Sequence, residues 1–419
     1  MGRARGLAVA LGAVCALWAS QAAWPVQAPG QDVAPYVVQA QFVGVRDDLV
    51  FPPAEARFGA LPTEVVEAQC ALLVASDASP DEVADCARFA VPPLATPPAV
   101  VGWVTVAHLP YRAVRALVQL AGAAAFALGT VVLWRRLGRR HGDAGRVTVV
   151  LSALALTPLV LRAGQLGQTS GVLYLSAALA PIPLGGRLRR TAASLVWAGA
   201  AVLKGVPALL AVLQAGRRRW ASLVVAAAVA LVGVVGLLAL VPATVVADAG
   251  AGSWSLTTSA LDVPANRSLA TQLAAASGLD AGAAVVLSAA LVLAALGAAW
   301  WRWLRAAPAE VEWAWWSLGL VAASPILWGH YTAVAVVVLG LALARLAPQA
   351  ADTGTDALLD RRLLALPVTA AVLAMASLQG TDVAGSAAVR ALTYGVLVAV
   401  LAAVVVIVHR TRPPQGRPA

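Results

Sequence analysis

Long apolar runs separated by short arginine clusters recur along almost the whole chain, and this alternation leaves few folds open. A helical membrane span takes about 20 apolar residues, and basic residues beside spans stay on the cytoplasmic side. With 60% hydrophobic and 12% charged residues over 419 positions, no cofactor-sized soluble domain fits in what remains. An all-α, polytopic membrane protein is the expected class. The net charge of +10 sits in clusters between apolar runs rather than along one face, so it marks topology and gives no reason to expect nucleic acid.

Residues 1–23 read as an N-terminal transmembrane anchor. MGRARG precedes an apolar run over 7–23, and WASQAAW looks partly like a cleavage site, but an uncleaved anchor is expected. Residues 24–112 then form the long non-membrane run near the N-terminus, with ten of the twenty acidic residues, among them Asp32, Asp47 and Asp48. Carboxylates concentrated beside a bilayer are where acid or base chemistry would be sought. On spacing alone no one of the ten stands out, and the competing reading of each is a solvated loop acid. Within this segment, 89–110 is apolar but broken by Pro92, Pro93, Pro97 and Pro98, which suits an interfacial or re-entrant piece better than a span. Cys70 and Cys86 lie in the same segment and could pair in an oxidising compartment or remain free thiols.

The membrane core is expected over 113–345. A span over 113–134 ends at the cluster 135–140, 146–161 leads back out, and 162–171 turns on the far side. Residues 172–184 return to Arg187, Arg189 and Arg190. The apolar stretch 191–216 has arginines at both ends and is too short for two spans. Two half-depth helices meeting near 203–207, where Gly205 and Pro207 break the backbone, satisfy the charge rule. Spans follow over 221–241, 281–301, 313–327 and 332–344, with a polar loop at 242–280 and a tight turn at 328–331. Residues 346–419 add a cytoplasmic linker, two spans at 363–378 and 392–408, and a basic tail. Ten full spans plus one half-depth hairpin put every basic cluster on one side. Tryptophans such as Trp300, Trp301, Trp313 and Trp316 fall at expected helix ends, as an interfacial belt requires.

Two side chains stand apart. Lys204 is the only lysine, placed in the middle of an apolar run. At the bilayer centre it would cost about 3 kcal/mol without a partner. It therefore faces a polar cavity, for which a lipid phosphate is a fitting occupant, or it snorkels to an interface from a short helix. His330 closes the SPILWGH segment after Pro325 and either meets phosphate or a proton, or is an interfacial residue. No Gly-rich phosphate loop, zinc-ligand spacing or nucleophile elbow is present.

Several stretches together resemble glycosyltransferase family 87, the polyprenol-phosphate-mannose-dependent group of the GT-C superfold. An acidic residue with an aromatic four positions on is matched by Asp32 and Tyr36, and a YPP segment by Val91, Pro92 and Pro93. A G-Q-x-N segment is matched by Gly167 and Gln168, and a G…K-x-x-P segment before a basic cluster by LVWAGAAVLKGVP with residues 217–219. Asn266, Ser268 and Leu269 match N-x-S-L, and Ser324, Pro325, Trp328 and His330 match S-P-x-x-W-x-H. Together these matches cover roughly residues 30–332. Departures are Val91 for Tyr, Ser170 for Asn and Tyr331 for a second His. LVFPP at 49–53 offers a rival alignment that would nominate Asp47 or Asp48.

The resemblance implies an inverting transfer of a sugar, mannose in the named group, from a polyprenyl-phosphate donor to a glycolipid or lipoglycan acceptor. The reaction would lie at the extracytoplasmic face of the cell membrane, with the C-terminus cytoplasmic. Asp32 would be the general base, and Lys204, His330 and Arg162 would meet the donor phosphate. Tyr36, Gln168, Asn266 and Trp328 would support them. No cofactor or metal is implied. A transporter or flippase of lipid-linked sugars and a catalytically inactive family member are the competing classes.

Overall fold

A computed structural model describes residues 32–53, 55–75, 90–92, 96–168, 170–179, 187–204, 206–216, 219–263, 265–346, 362–378 and 387–411. The expected anchor at 7–23, Cys86 and most of the linker at 345–362 lie outside the described residues. Cys70 is disulfide-bonded.

The described chain is all helical, with no named strand. Three short helices come from the acidic segment: α1 (Ala34–Phe42), α2 (Thr63–Val74) and α3 (Pro97–Val104). The long α4 (Tyr111–Leu166) is in fact two arms, because Gly142 has φ 58 and ψ −138 and reverses the chain. The sequence expectation of two spans here holds, but the arginine cluster at 135–140 is the continuation of the first arm rather than a loop. Next come α5 (Ser170–Leu179), α6 (Arg187–Lys204), a 3-10 segment (Val206–Leu210) and α7 (Ala211–Gly216). The helical run 191–216 is thus interrupted right after Lys204, and Trp197 Nε1 donates to Pro207 O at 3.0 Å across the break.

The chain continues through α8 (Trp220–Leu240), α9 (Ala243–Ser259), α10 (Leu269–Ser277) and α11 (Ala281–Ala299). It ends with α12 (Ala309–Ala323), α13 (Val334–Leu343), α14 (Ala365–Leu378) and α15 (Ala387–Arg410). Four helices are long and apolar enough to cross a membrane: Tyr111–Leu166, Trp220–Leu240, Ala281–Leu304 and Ala387–Arg410. Shorter apolar helices, 10 to 17 residues long, fill in around them. The polar stretch 242–280, expected as a loop, is largely helical instead. Its composition of Ala, Gly, Ser and Thr hides the helical period, and α9 is fixed by packing: a Cβ at Gly252 would sit 1.8 Å from Pro52 O.

Helix α13 is the hub. All of Val334–Leu343 is buried, and a helix apolar all round has to be enclosed by others. It packs on α4, α5, α12, α14 and α15. A second, smaller cluster joins Val33, Ala34 and Val37 of the acidic segment to Trp103, Tyr111 and Val114. That cluster fastens the start of α1 to the first turn of α4, and so to the membrane helices.

Candidate active site

The base of the site is a helix end. Helix α4 stops at Gly167, whose left-handed φ of 86° lets its N–H bond Gly164 O and lets Gln168 N–H bond Ala163 O at 2.8 Å. This is the double closure by which glycine ends helices. Leu166 O, left over at that end, accepts from Asp32 N–H at 2.8 Å. The Gln168 side-chain amide then donates to the Asp32 carboxylate. One turn thus holds Asp32 by backbone and by side chain, although the two segments lie 136 positions apart. Burial raises the Asp32 carboxyl to about 6, against the opposing pull of the Lys204 ammonium and the Gln168 bond.

Lys204 ends α6, where the carbonyl end of a helix favours a cation. Its Nζ donates to Tyr331 Oη at 3.0 Å and lies 5.2 Å from the centre of that ring. The His330 ring meets the Tyr331 ring edge-on at 4.5 Å. Tyr331, which stands where the family pattern has a second His, is the acceptor for the sole lysine. Tyr36, four residues after Asp32 on α1, stacks on Trp103 at 5.1 Å and 17°.

Asp32, Tyr36, Arg162, Gln168, Lys204, Trp328 and His330 all line one cavity of about 1210 Å³. Val91 lines it too, held by two hydrogen bonds to the buried Gln69 amide at 2.9 and 3.1 Å. Ser170, at the other departure, does not line it.

Asn266 is absent from the wall, in contrast to the expectation that it supports the site directly. It is fully buried, donates to Ala260 O and Pro325 O, and accepts from the N–H groups of Ser268 and Leu327. It ties two chain segments together and thereby sets the path of the SPILWGH segment. Asn266→Ala is expected to destabilise the protein by roughly 3 kcal/mol, because several buried polar groups lose their partner together. A fall in the thermal-unfolding midpoint in detergent would measure it.

Asp47 and Asp48 are on a short 3-10 turn outside the cavity. Asp47 accepts from Gly44 N–H at 2.7 Å, and exposed Asp48 pairs with Arg46 at 2.9 Å. The rival alignment therefore leads to surface carboxylates.

Residues that the sequence reading passed over also line the cavity: Arg57, Phe58, Asp262 and Arg267. The segment with Arg57 and Phe58 is laid across α9 by Ser255 Oγ donating to Ala56 O and by Phe58 N–H donating to Ser259 Oγ. Phe58 meets Trp328 at 6.4 Å, edge to face. Arg267 occupies the variable position of N-x-S-L. One signal could have found it: it is an isolated arginine in a segment assigned to the side opposite the basic clusters.

A helical membrane protein with a carboxylate, a lone lysine and several other cationic side chains around one internal cavity fits the class of membrane enzymes that act on lipid-borne substrates. The chain belongs to glycosyltransferase family 87, whose family model matches residues 94–325. Arg162, Gln168, Lys204 and Asn266 are inside the matched region; Asp32, Tyr36, Trp328 and His330 are outside it. A search of curated proteins finds no match, and a search of solved structures finds none.

Proposed function

We propose that this membrane glycosyltransferase moves a sugar, mannose first among the candidates, from a polyprenyl-phosphate donor to a hydroxyl of a glycolipid or lipoglycan acceptor. The reaction occurs at the extracytoplasmic face of the cell membrane, with inversion at the anomeric carbon. The observation that carries this reading is the shared cavity of Asp32, Lys204 and His330, which come from widely separated parts of the chain.

Asp32 accepts the proton of the acceptor hydroxyl as its oxygen bonds to the anomeric carbon. The bond from that carbon to the phosphate oxygen breaks, and polyprenyl phosphate leaves with the electron pair. Negative charge grows on the phosphate, and Lys204, His330 and Arg162 are the cationic and hydrogen-bonding groups that oppose it. Gln168 orients the carboxylate, and Tyr36 and Trp328 shape the walls. The reaction needs no cofactor, because the donor already carries its activated leaving group.

Asp32 works only when ionised. Because burial moves its carboxyl from 3.8 to about 6, the catalytically useful form predominates above that pH and is lost below it. The purified chain, given radiolabelled polyprenyl-phosphate mannose and a membrane glycolipid extract, is expected to transfer label. Its kcat/KM is expected to fall tenfold per pH unit below about 6. Label transfer that stays level from pH 7 down to 4 removes Asp32 from the role of base. No transfer from any lipid-phosphate sugar returns the protein to the transporter or inactive class.

A further inference from the structure

The cavity holds a cation that the transfer scheme leaves unused. Arg267 is only 2% exposed yet lines the cavity. Its Nη1 donates to Ala376 O near the end of α14 and to Thr393 Oγ1 on α15 at 3.3 Å. Its Nε has no hydrogen-bond partner. The ion pairs among the described residues belong to other arginines. A buried guanidinium without a counter-charge is costly, so the missing anion is expected to arrive with a ligand.

The other groups of the cavity narrow where that anion sits. Lys204 is already engaged: it is bonded to Tyr331 and close enough to Asp32 to act on it electrostatically. His330 is not engaged in the same way, since its Nε2 is buried and unpartnered, and Arg267 is near enough to act on that ring electrostatically. Two unpartnered nitrogens at one end of a cavity, one on a guanidinium, suit a phosphate better than a neutral sugar hydroxyl.

We infer that Arg267 and His330 form the anion-binding end of the cavity and grip the phosphate of the lipid donor, while Lys204 stays tied to Asp32 and Tyr331. This rests on the transferase reading for the identity of the ligand and adds to it the residue that carries most of the phosphate affinity. Arg267 has a structural duty as well, at the carbonyl end of α14, so the test has to separate the two.

The full chain in detergent is titrated with geranylgeranyl phosphate and with geranylgeraniol, and binding is followed by tryptophan fluorescence. The wild type is expected to prefer the phosphate. Arg267→Gln is expected to lower phosphate affinity about tenfold or more and to change affinity for the neutral alcohol less than about twofold. Thr393→Val, which removes a structural partner of Arg267 and no charge, is expected to keep the preference. Arg267→Lys keeps a cation at the α14 end but not the forked donor, and stands in if the glutamine variant does not fold; it is expected to lose part of the preference.

Equal weakening of both lipids, an intact phosphate preference in either Arg267 variant, or a wild type without preference overturns the inference. Because binding is read without turnover, the two readings fail separately. A preference lost in Arg267→Gln, with no sugar transfer from any donor, keeps this site and ends the transferase reading. Transfer by the wild type with an unchanged preference in the variants does the reverse.

Discussion

Asp32→Asn is expected to lower kcat for sugar transfer by roughly 10²- to 10⁴-fold, the range that a positioned general base contributes. The substitution changes little else. An amide still fits the space and can bond the Gln168 side chain, and the Asp32 N–H to Leu166 O bond belongs to the backbone. Donor affinity and the unfolding midpoint should therefore stay near wild type, and the loss should fall on kcat rather than KM. The acid limb of the pH profile should vanish with it. Full activity in Asp32→Asn, together with a loss in Asp48→Asn, would move the base to the exposed 3-10 turn and restore the rival alignment.

Gly167→Ala is expected to cost roughly 2–5 kcal/mol of stability and to reduce transfer by more than the loss of folded protein explains. Two independent penalties meet at this position. The φ of 86° is unfavourable for a residue with a Cβ, and that Cβ would sit 2.1 Å from Val33 Cγ2. Val33 is buried next to Asp32, so relief of the clash has to push on the segment that holds the carboxylate. Gly164→Ala is the matched control. Its Cβ meets nothing within 4 Å, and in a helix the change should be neutral or slightly stabilising. Equal effects of the two substitutions on thermal unfolding would show that the turn at Gly167 is not under the constraint described.

What could be read from sequence followed the strength of each local signal. Apolar run length located the strongly apolar helices, since burying backbone in hydrocarbon leaves little else possible. The break after Lys204 was legible from Gly205 and Pro207. Lys204 itself was legible as an oddity of composition. Helix α9 was not, because its small and polar residues carry no apolar period and it is held by close contact with 51–58. The inward-facing Arg57, Phe58 and Arg267 were invisible for a related reason. Each owes its place to a partner distant in sequence, such as Ser259 for Phe58 and Ala376 for Arg267. Asn266 was noticed, but its pattern could not tell a wall residue from the brace behind the wall. The number of shorter spans also stayed beyond reach, because helices of 10 to 17 residues fall below the length at which hydropathy alone decides.

The double attachment of Asp32 to the end of α4 separates the reacting carboxylate from the rest of the segment it belongs to. Residues 43–75 pass over the outside of the molecule, whereas the carboxylate rides on the helix that follows them. The outer segment can therefore diverge in length and sequence, and with it the surface offered to different acceptors, without retuning the position of the proton-accepting oxygen.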